Sequence, residues 1–160
     1  MTRTKLDKRG DLYLKKEEES LSTTSFLKAL KENLDSDTVF KIAQNAFSKY
    51  MISYYEKVLD STKEGSQRRF DRFREFYEDY AKKTTYLEII ESSPTRLKVK
   101  YKRCPFYEIL DDLDMGDLAY AFCLSDIGFT EIVLPGVIFS REYEIARGGP
   151  YCDNTWEFKT

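Results

Sequence analysis

The chain contains no histidine among its 160 residues. Histidine is the side chain that most often moves protons near neutral pH, and it is the commonest metal ligand in proteins. Any catalysis must therefore use thiols, carboxylates, tyrosines and arginines. Because the sequence also lacks a C-x-x-C pair and a glycine-rich phosphate loop, we predict neither a metal site nor a cofactor.

Long apolar runs and a strong excess of one charge are missing too. No stretch approaches the ~18 apolar residues of a membrane span, and the first residues, M-T-R-T-K-L-D-K-R-G, lack the apolar centre of a secretory signal. The net charge is -2, without the basic excess typical of nucleic-acid-binding proteins. We therefore expect a cytoplasmic protein that binds neither nucleic acid nor membrane.

Cysteine is scarce, and all three cysteines lie in the last third of the chain, at Cys104, Cys123 and Cys152. An odd number of cysteines in a reducing compartment does not build a disulfide framework. We predict three free thiols.

Aromatic residues are plentiful, at 15% of the chain, with 12 tyrosines and 11 phenylalanines against one tryptophan. With a hydrophobic fraction of 41%, they suffice for the core of one domain. We predict a single α+β domain in which residues 1–20 are a charged flexible or docking arm, residues 21–84 are helical, and residues 85–160 form a sheet part with the site residues.

Apolar residues at helical spacing predict three helices in the first half of the chain. The first runs from Ser22–Thr24 to about Leu34, the second follows a cap at Ser36 or Asp37, and the third follows Gly65 and a cap at Ser66. The residues predicted to face the core are Val39, Ile42, Ala43, Ala46, Phe47, Tyr50, Tyr54 and Val58 in the second helix, and Phe70, Phe73, Tyr77 and Tyr80 in the third.

The periodicity changes at Tyr86, where alternating residues predict strands. A hairpin is expected over residues 86–103, with its turn at S-S-P-T, and further strands over residues 137–145 and 151–158. Two helices, residues 106–113 and 117–127, lie between the strand pairs. This order predicts an α+β fold with N-terminal helices packed on a mainly antiparallel sheet of about four strands.

Cys104 precedes Pro105, a residue that suits the first turn of a helix. At a helix N-terminus, free N–H groups and the helix dipole favour a thiolate, and Arg103 adds positive charge. The alternative is a small buried residue at a junction between strand and helix, because cysteine is among the most buried residue types.

Cys123 and Asp126 are three residues apart and share one face of a helix that is otherwise apolar. An acid there is costly unless it has a partner or lines a cavity. We predict that Asp126 lines a pocket with at least one cysteine and with Arg141 or Arg147. In the alternative, Asp126 caps the loop at Gly128 and Cys123 is a core residue.

Cys152 and Asp153 are neighbours on a predicted strand, so they point to opposite faces of the sheet. Arg147 and Gly148 precede them in a tight turn, and Arg141 lies on the strand before. An arginine in a pocket can hold a carboxylate through its bidentate fork, although most arginines are simply solvated.

Three motifs, C-P-F-Y-E-I-L, A-F-C-L-S-D and F-S-R-E-Y-E-I-A-R-G-G-P-Y-C-D-N-T-W-E-F, together resemble the L-2-amino-thiazoline-4-carboxylic acid hydrolase family over about residues 103–158. The resemblance implies a hydrolase that opens a thiazoline ring with water to give N-carbamoyl-L-cysteine. It marks as site candidates Cys104, Pro105, Cys123, Asp126, Arg141, Gly148, Cys152 and Asp153, with Arg147 as a further candidate for substrate binding.

Two other functions remain open. The chain is also loosely similar to small-molecule-binding domains of the vinyl-reductase type, so the aromatic residues could line the cavity of a non-enzymatic sensor. The charged arm and the tyrosine-rich helices could instead form an oligomer interface. We expect a small molecule as the partner, with self-association as an alternative.

Overall fold

The computed structural model describes residues 10–59 and 65–159, and side chains from residue 15 onward. In this part of the chain the helices are α1 (Gly10–Asn33), α2 (Ser36–Val58), α3 (Ser66–Lys83), α4 (Pro105–Asp112) and α5 (Gly116–Val133), with a short 3-10 helix at Ile145–Arg147. The strands are β1 (Leu87–Ser93), β2 (Arg96–Tyr101), β3 (Val137–Ser140) and β4 (Thr155–Phe158).

The four strands form one antiparallel sheet in the order β1-β2-β4-β3. Helices α4 and α5 lie between the two strand pairs in sequence, and the helices pack on the sheet. The predicted α+β class, the hairpin of β1 and β2, and the two inserted helices are therefore confirmed. The hairpin turn is at Pro94 and Thr95.

Helix α1 begins at Gly10 and not near Ser22, so residues 10–20 of the predicted arm are helical. This segment lacks an apolar stripe, but its K-K-E-E-E run consists of good helix formers. Lys16 and Glu19 also pair across one turn, with 2.7 Å between Nζ and Oε2. The arm prediction for residues 1–9 lies outside the described residues.

Helix α2 is capped by Asp35, not by Ser36 or Asp37. Asp35 Oδ1 accepts the backbone N–H of Thr38 at 3.0 Å, as an N-cap side chain should. The buried stripe keeps a spacing of four residues, and for this reason five of the predicted core residues are exposed: Ile42, Ala46, Tyr50, Tyr54 and Val58. Its members are Val39, Ala43, Phe47, Met51 and Tyr55.

The last two strands are shorter than predicted. Strand β3 ends at Ser140 and β4 begins at Thr155, while Cys152 makes only an isolated bridge with Tyr101. Asp153 explains the difference, because its Oδ1 accepts the backbone N–H groups of Glu142 and Tyr143 at 3.0 and 2.7 Å. A side chain thus takes the hydrogen bonds that a longer strand pair would need.

Helix α5 continues past its predicted end at Ile127 to Val133. Gly128 lies inside it, where a Cβ would meet Ser48 Oγ of α2 at 3.7 Å. A Cβ would fit at this ordinary contact distance, so the packing of the two helices does not require the glycine, and Gly128 does not end α5. Beyond it, Phe129 and Thr130 are buried and carry the helix into the core.

The core between the helices and the sheet consists of aromatic rings in mutual contact. Trp156 on β4 lies 5.0 Å from Phe73 and 5.1 Å from Tyr77, measured between ring centroids, and Tyr55 stacks on Phe129 at 4.3 Å. The Trp156 indole donates to Thr130 Oγ1 at 3.0 Å. In the described residues these aromatics belong to the hydrophobic cluster that joins the helices to the sheet. None of the described helices has the length and apolarity that crossing a membrane would require.

Candidate functional site

Asp126 projects from the buried side of α5 and is the buried acid of the described core. Its Oδ2 accepts hydrogen bonds from Arg141 Nη1 at 2.9 Å and from Asn154 Nδ2 at 3.4 Å. Burial raises the pKa of Asp126 to about 6, against the opposing effect of Arg141 and Asn154. The Asp126 carboxyl thus holds its proton more tightly than an exposed aspartate does.

Arg141 is also buried, with only 4% of its side chain exposed. Its Nε donates to Glu144 Oε1 at 2.8 Å, and its Nη2 donates to the Cys123 carbonyl at 3.2 Å. Its Nη1 donates to Asp126 Oδ2 and to Asn154 Oδ1. These protein acceptors use all three guanidinium nitrogens. The predicted role of Arg141 in holding a substrate carboxylate therefore does not fit this structure, and Arg141 instead fixes Asp126.

The pairing of β2 with β4 places Asn154 and Cys152 beside this ion pair. Val99 donates to the Asn154 carbonyl at 2.9 Å, and Tyr101 exchanges two backbone hydrogen bonds with Cys152. Cys152, Asn154 and Trp156 alternate along the chain, and all three are buried on the inner face. Asp153 points the other way, as predicted.

Cys104 occupies the predicted N-cap of α4, where its Sγ accepts the backbone N–H of Tyr107 at 3.4 Å. Burial nevertheless raises its pKa to about 12. Desolvation therefore outweighs the effect of the helix N-terminus, which favours the alternative of a small buried residue at the junction between strand and helix. The thiol is protonated at neutral pH.

Cys123 and Cys152 are protonated for the same reason, since burial raises the pKa of both. Cys152 Sγ accepts the backbone N–H of Ile145 at 3.3 Å. Cys104 and Cys152 both affect the titration of Cys123 electrostatically, and Arg141 and Asp126 affect that of Cys152. Cys123 and Cys152 thus belong to the surroundings of Asp126 and Arg141.

Two other predicted site residues, Arg147 and Gly148, lie apart from this cluster, and Asp153 meets it only at a groove that Arg141 also lines. Arg147 is exposed, with its guanidinium 5.3 Å from the ring centroid of Tyr120. Gly148 ends the 3-10 helix with a φ of 82°, a conformation that favours glycine. Asp153 holds the loop after β3 and lines an outward groove of about 360 Å³, together with Arg96, Lys98, Ser140, Arg141, Glu142 and Thr155.

Asn154 and Glu144 belong to the cluster although the motifs did not single them out. The alternation of Cys152, Asn154 and Trp156 on one strand face could have identified Asn154. Glu144 gave no comparable signal, because the segment around it reads as a strand and folds as a loop. In the part of the chain that the structure describes, no group of three or more Cys, Asp or Glu side chains is arranged to hold a metal ion.

We expect the three thiols to react slowly with an alkylating reagent at neutral pH in the native protein, because the thiolate is the reactive form. In denaturant without reductant, all three should react, since Cys104, Cys123 and Cys152 are free. Mass spectrometry of the labelled protein measures both. Fewer than three labels in denaturant would reveal a disulfide, and fast native labelling of Cys104 would contradict its burial.

Fold and cluster together define an α+β protein that buries an aspartate–arginine pair beside cysteine thiols. The chain belongs to the L-2-amino-thiazoline-4-carboxylic acid hydrolase family, whose model matches residues 15–156. The resemblance found in the last third of the sequence is thus confirmed, and it extends over the N-terminal helices.

Among solved structures, the chain is similar to a trafficking protein particle complex subunit 3 from Naegleria fowleri, covalently bound to palmitic acid. The TM-score is 0.52 and the identity 15%, covering 92% of this chain and 96% of that chain. At this identity the similarity shows the fold alone. A comparison with curated proteins gives no significant match.

Proposed function

We propose that this protein hydrolyses a small cyclic isothiourea-type compound, and specifically that it opens L-2-amino-thiazoline-4-carboxylate to N-carbamoyl-L-cysteine. The observation that carries the proposal is Asp126, a buried carboxylate with a pKa raised to about 6 and held by Arg141 and Asn154. A base with a pKa near the working pH is the most effective catalyst of proton transfer. Membership of the hydrolase family supplies the substrate class.

The reaction requires one water molecule and no other reactant. Asp126 removes a proton from water as its oxygen bonds to the ring carbon that lies between nitrogen and sulfur. The bond from this carbon to sulfur then breaks as the added hydroxyl gives its proton to the ring nitrogen, and the ring carbon becomes a carbamoyl carbon whose oxygen comes from water. The departing sulfur takes up a proton, which the protonated Asp126 or a neighbouring thiol, Cys123 or Cys152, can supply.

The raised thiol pKa values favour this route over covalent catalysis. A nucleophilic cysteine must be a thiolate, whereas burial keeps all three thiols protonated. Cys123 and Cys152 therefore suit the role of proton donor. Proton donation by either thiol requires no histidine, a residue that the chain lacks.

Glu144 offers a place for the cationic end of such a substrate. Its Oε1 is bound by Arg141, while Oε2 is buried and accepts no hydrogen bond from the described residues. A buried carboxylate oxygen without a donor is an acceptor for the N–H groups of an amidine. This unused acceptor beside Asp126 supports a site for a nitrogen-rich small ring.

The test is to incubate the protein with L-2-amino-thiazoline-4-carboxylate and to follow the released thiol with a chromogenic reagent across a range of pH. We expect turnover to fall as the pH drops below about 6, because Asp126 acts as a base only when deprotonated. A flat profile across that range would rule out Asp126 as the base. The absence of ring opening at every pH would refute the proposed function.

The alternative is a non-enzymatic binding domain for an apolar ligand. It is favoured by the similarity in fold to a protein that is covalently bound to palmitic acid, together with three cysteines in this chain. Intact-mass measurement of the purified protein distinguishes the two functions. A mass increase on one cysteine, in a protein without ring-opening activity, would favour the binding domain.

A further inference from the structure

The groove on the outer face of the sheet contains charged and polar groups that the fold leaves without partners. Its volume is about 360 Å³, and small-molecule sites usually measure about 300–1,000 Å³. Lys98 of β2 lines the groove directly opposite Thr155 of β4. Asp153 lies on the same face two residues before Thr155, so Lys98 and Asp153 are about 7–8 Å apart, as diagonal neighbours across two strands are. The groove thus brings a cation and an acid within reach of one small molecule.

Lys98 supplies an uncompensated positive charge to the groove. Its half-buried side chain forms no ion pair and no hydrogen bond with the described residues. Glu91, the acid opposite it on β1, lies instead beside Arg96, with 3.6 Å between Oε2 and Nε. This distance is too long for a hydrogen bond, so the buried Nε of Arg96 is a second unused donor. Arg141 is already neutralised by Asp126, and Lys98 therefore remains the cation available to a carboxylate.

Asp153 and Thr155 supply unused polar groups beside Lys98. Asp153 Oδ1 accepts two backbone N–H groups of the loop after β3, which fixes the carboxylate and leaves Oδ2 without a donor among the described residues. Thr155 is only 7% exposed, yet its hydroxyl forms no hydrogen bond with any described residue. Because a buried polar group without a partner is costly, this hydroxyl indicates a place for a ligand.

We propose that this groove binds a small zwitterion, a molecule with a carboxylate at one end and a cationic nitrogen at the other. Lys98 and the Arg96 Nε–H bind the carboxylate, to which the Thr155 hydroxyl also donates. Asp153 Oδ2 accepts from the cationic nitrogen. A free α-amino acid and a thiazoline carboxylate share this chemistry. The inference goes beyond the proposed function and does not rest on it, because binding in the groove requires no catalysis by Asp126.

Isothermal titration calorimetry of the full chain with three compounds tests the inference. L-Thiazolidine-4-carboxylate is a ring zwitterion without an amidine carbon to hydrolyse, L-serine is an open-chain zwitterion, and N-carbamoyl-L-cysteine has a carboxylate but no cationic nitrogen. We expect at least one zwitterion to bind about tenfold or more tightly than N-carbamoyl-L-cysteine, the effect of one charge-assisted hydrogen bond. Tighter binding of the first or of the second compound distinguishes a ring ligand from a free amino acid.

Three variants locate the binding in the groove. Lys98→Met keeps the length of the side chain without its charge and should weaken zwitterion binding about tenfold or more. Asp153→Asn keeps the oxygen that holds the loop, so it should weaken the zwitterion by a similar factor and leave N-carbamoyl-L-cysteine unchanged. Lys100→Met is the matched control, because Lys100 lies on the same face of β2 outside the groove, with its Nζ 4.1 Å from the Tyr151 ring centroid. Its affinity should stay within about threefold of wild type.

Melting temperatures show whether each variant is folded. If Asp153→Asn melts well below wild type, Thr155→Val takes its place, and loss of the buried hydroxyl should weaken binding about threefold or more. Equal losses in Lys98→Met and Lys100→Met would overturn the inference, because they would indicate a general effect of charge. Failure of both zwitterions to bind wild type at millimolar concentration would also overturn it. Zwitterion binding by a protein that opens no thiazoline ring would support the inference and refute only the proposed function.

Discussion

Replacing Asp126 by asparagine should lower the rate of ring opening at least ~10²-fold, the loss expected when a general base is removed. The asparagine side chain keeps an oxygen that can accept from Arg141, so the fold should survive. The fall in turnover below about pH 6 should be absent in this variant, because the carboxylate that causes it has been removed. Thiol release at saturating thiazoline, with circular dichroism to check the fold, measures the effect.

Asp117→Asn is the matched control, because it makes the same change on the same helix. Asp117 lies in the first turn of α5, with 54% of its side chain exposed, and pairs with Lys31 at the surface. Its variant should retain wild-type turnover. Undiminished activity in Asp126→Asn would exclude Asp126 as the base, and binding of an apolar ligand by an inactive wild-type protein would favour the sensor function.

The features that sequence reasoning predicted well depend on local signals. The change of periodicity at Tyr86 located the hairpin, and Pro105 located both the start of α4 and the capping position of Cys104. An acid within an apolar helix indicated that Asp126 needs a partner, and its partner is Arg141. Each of these conclusions follows from residues close together in sequence.

The features that sequence reasoning missed depend on contacts between distant residues. The sequence predicts a strand as far as Ile145, with Arg141 at one position of its alternating pattern. In the structure Asp153 binds the backbone of Glu142 and Tyr143 and holds this segment as a loop after β3. The Arg141 side chain therefore reaches Asp126 in the interior. Burial of the thiols is likewise a property of the packed core. The N-cap position of Cys104 was predictable, but the amount of water removed from its sulfur was not.

Replacing Arg141 by alanine should destabilise the protein by about 3–5 kcal/mol, the usual cost of breaking a buried ion pair from one side. Asp126 and Glu144 would both lose their cation in a site from which water is largely excluded. The pKa of Asp126 would rise further, since Arg141 is the main group that opposes the effect of burial. Urea unfolding measured at several pH values gives the free energies.

The pH dependence of this loss of stability tests whether Asp126 is the group that causes it. A carboxyl with a raised pKa binds its proton more tightly in the folded state, so it contributes stability at low pH that is lost as the pH rises through that pKa. The loss in free energy of unfolding caused by Arg141→Ala should therefore be larger at about pH 8 than at about pH 5. Adding Asp126→Asn should recover part of it at about pH 8, because no carboxylate then remains unpaired at that position.

Arg103→Ala is the control for an exposed arginine, because Arg103 pairs with Glu108 with 47% of its own side chain exposed. Its cost should not exceed about 1 kcal/mol, the usual upper value for a surface ion pair. A loss of stability of only about 1 kcal/mol in Arg141→Ala, or a loss that does not change with pH, would contradict the conclusion that Arg141 and Asp126 form a buried ion pair. The cluster would then lack the desolvation that raises the pKa of Asp126 and suits it to act as a base.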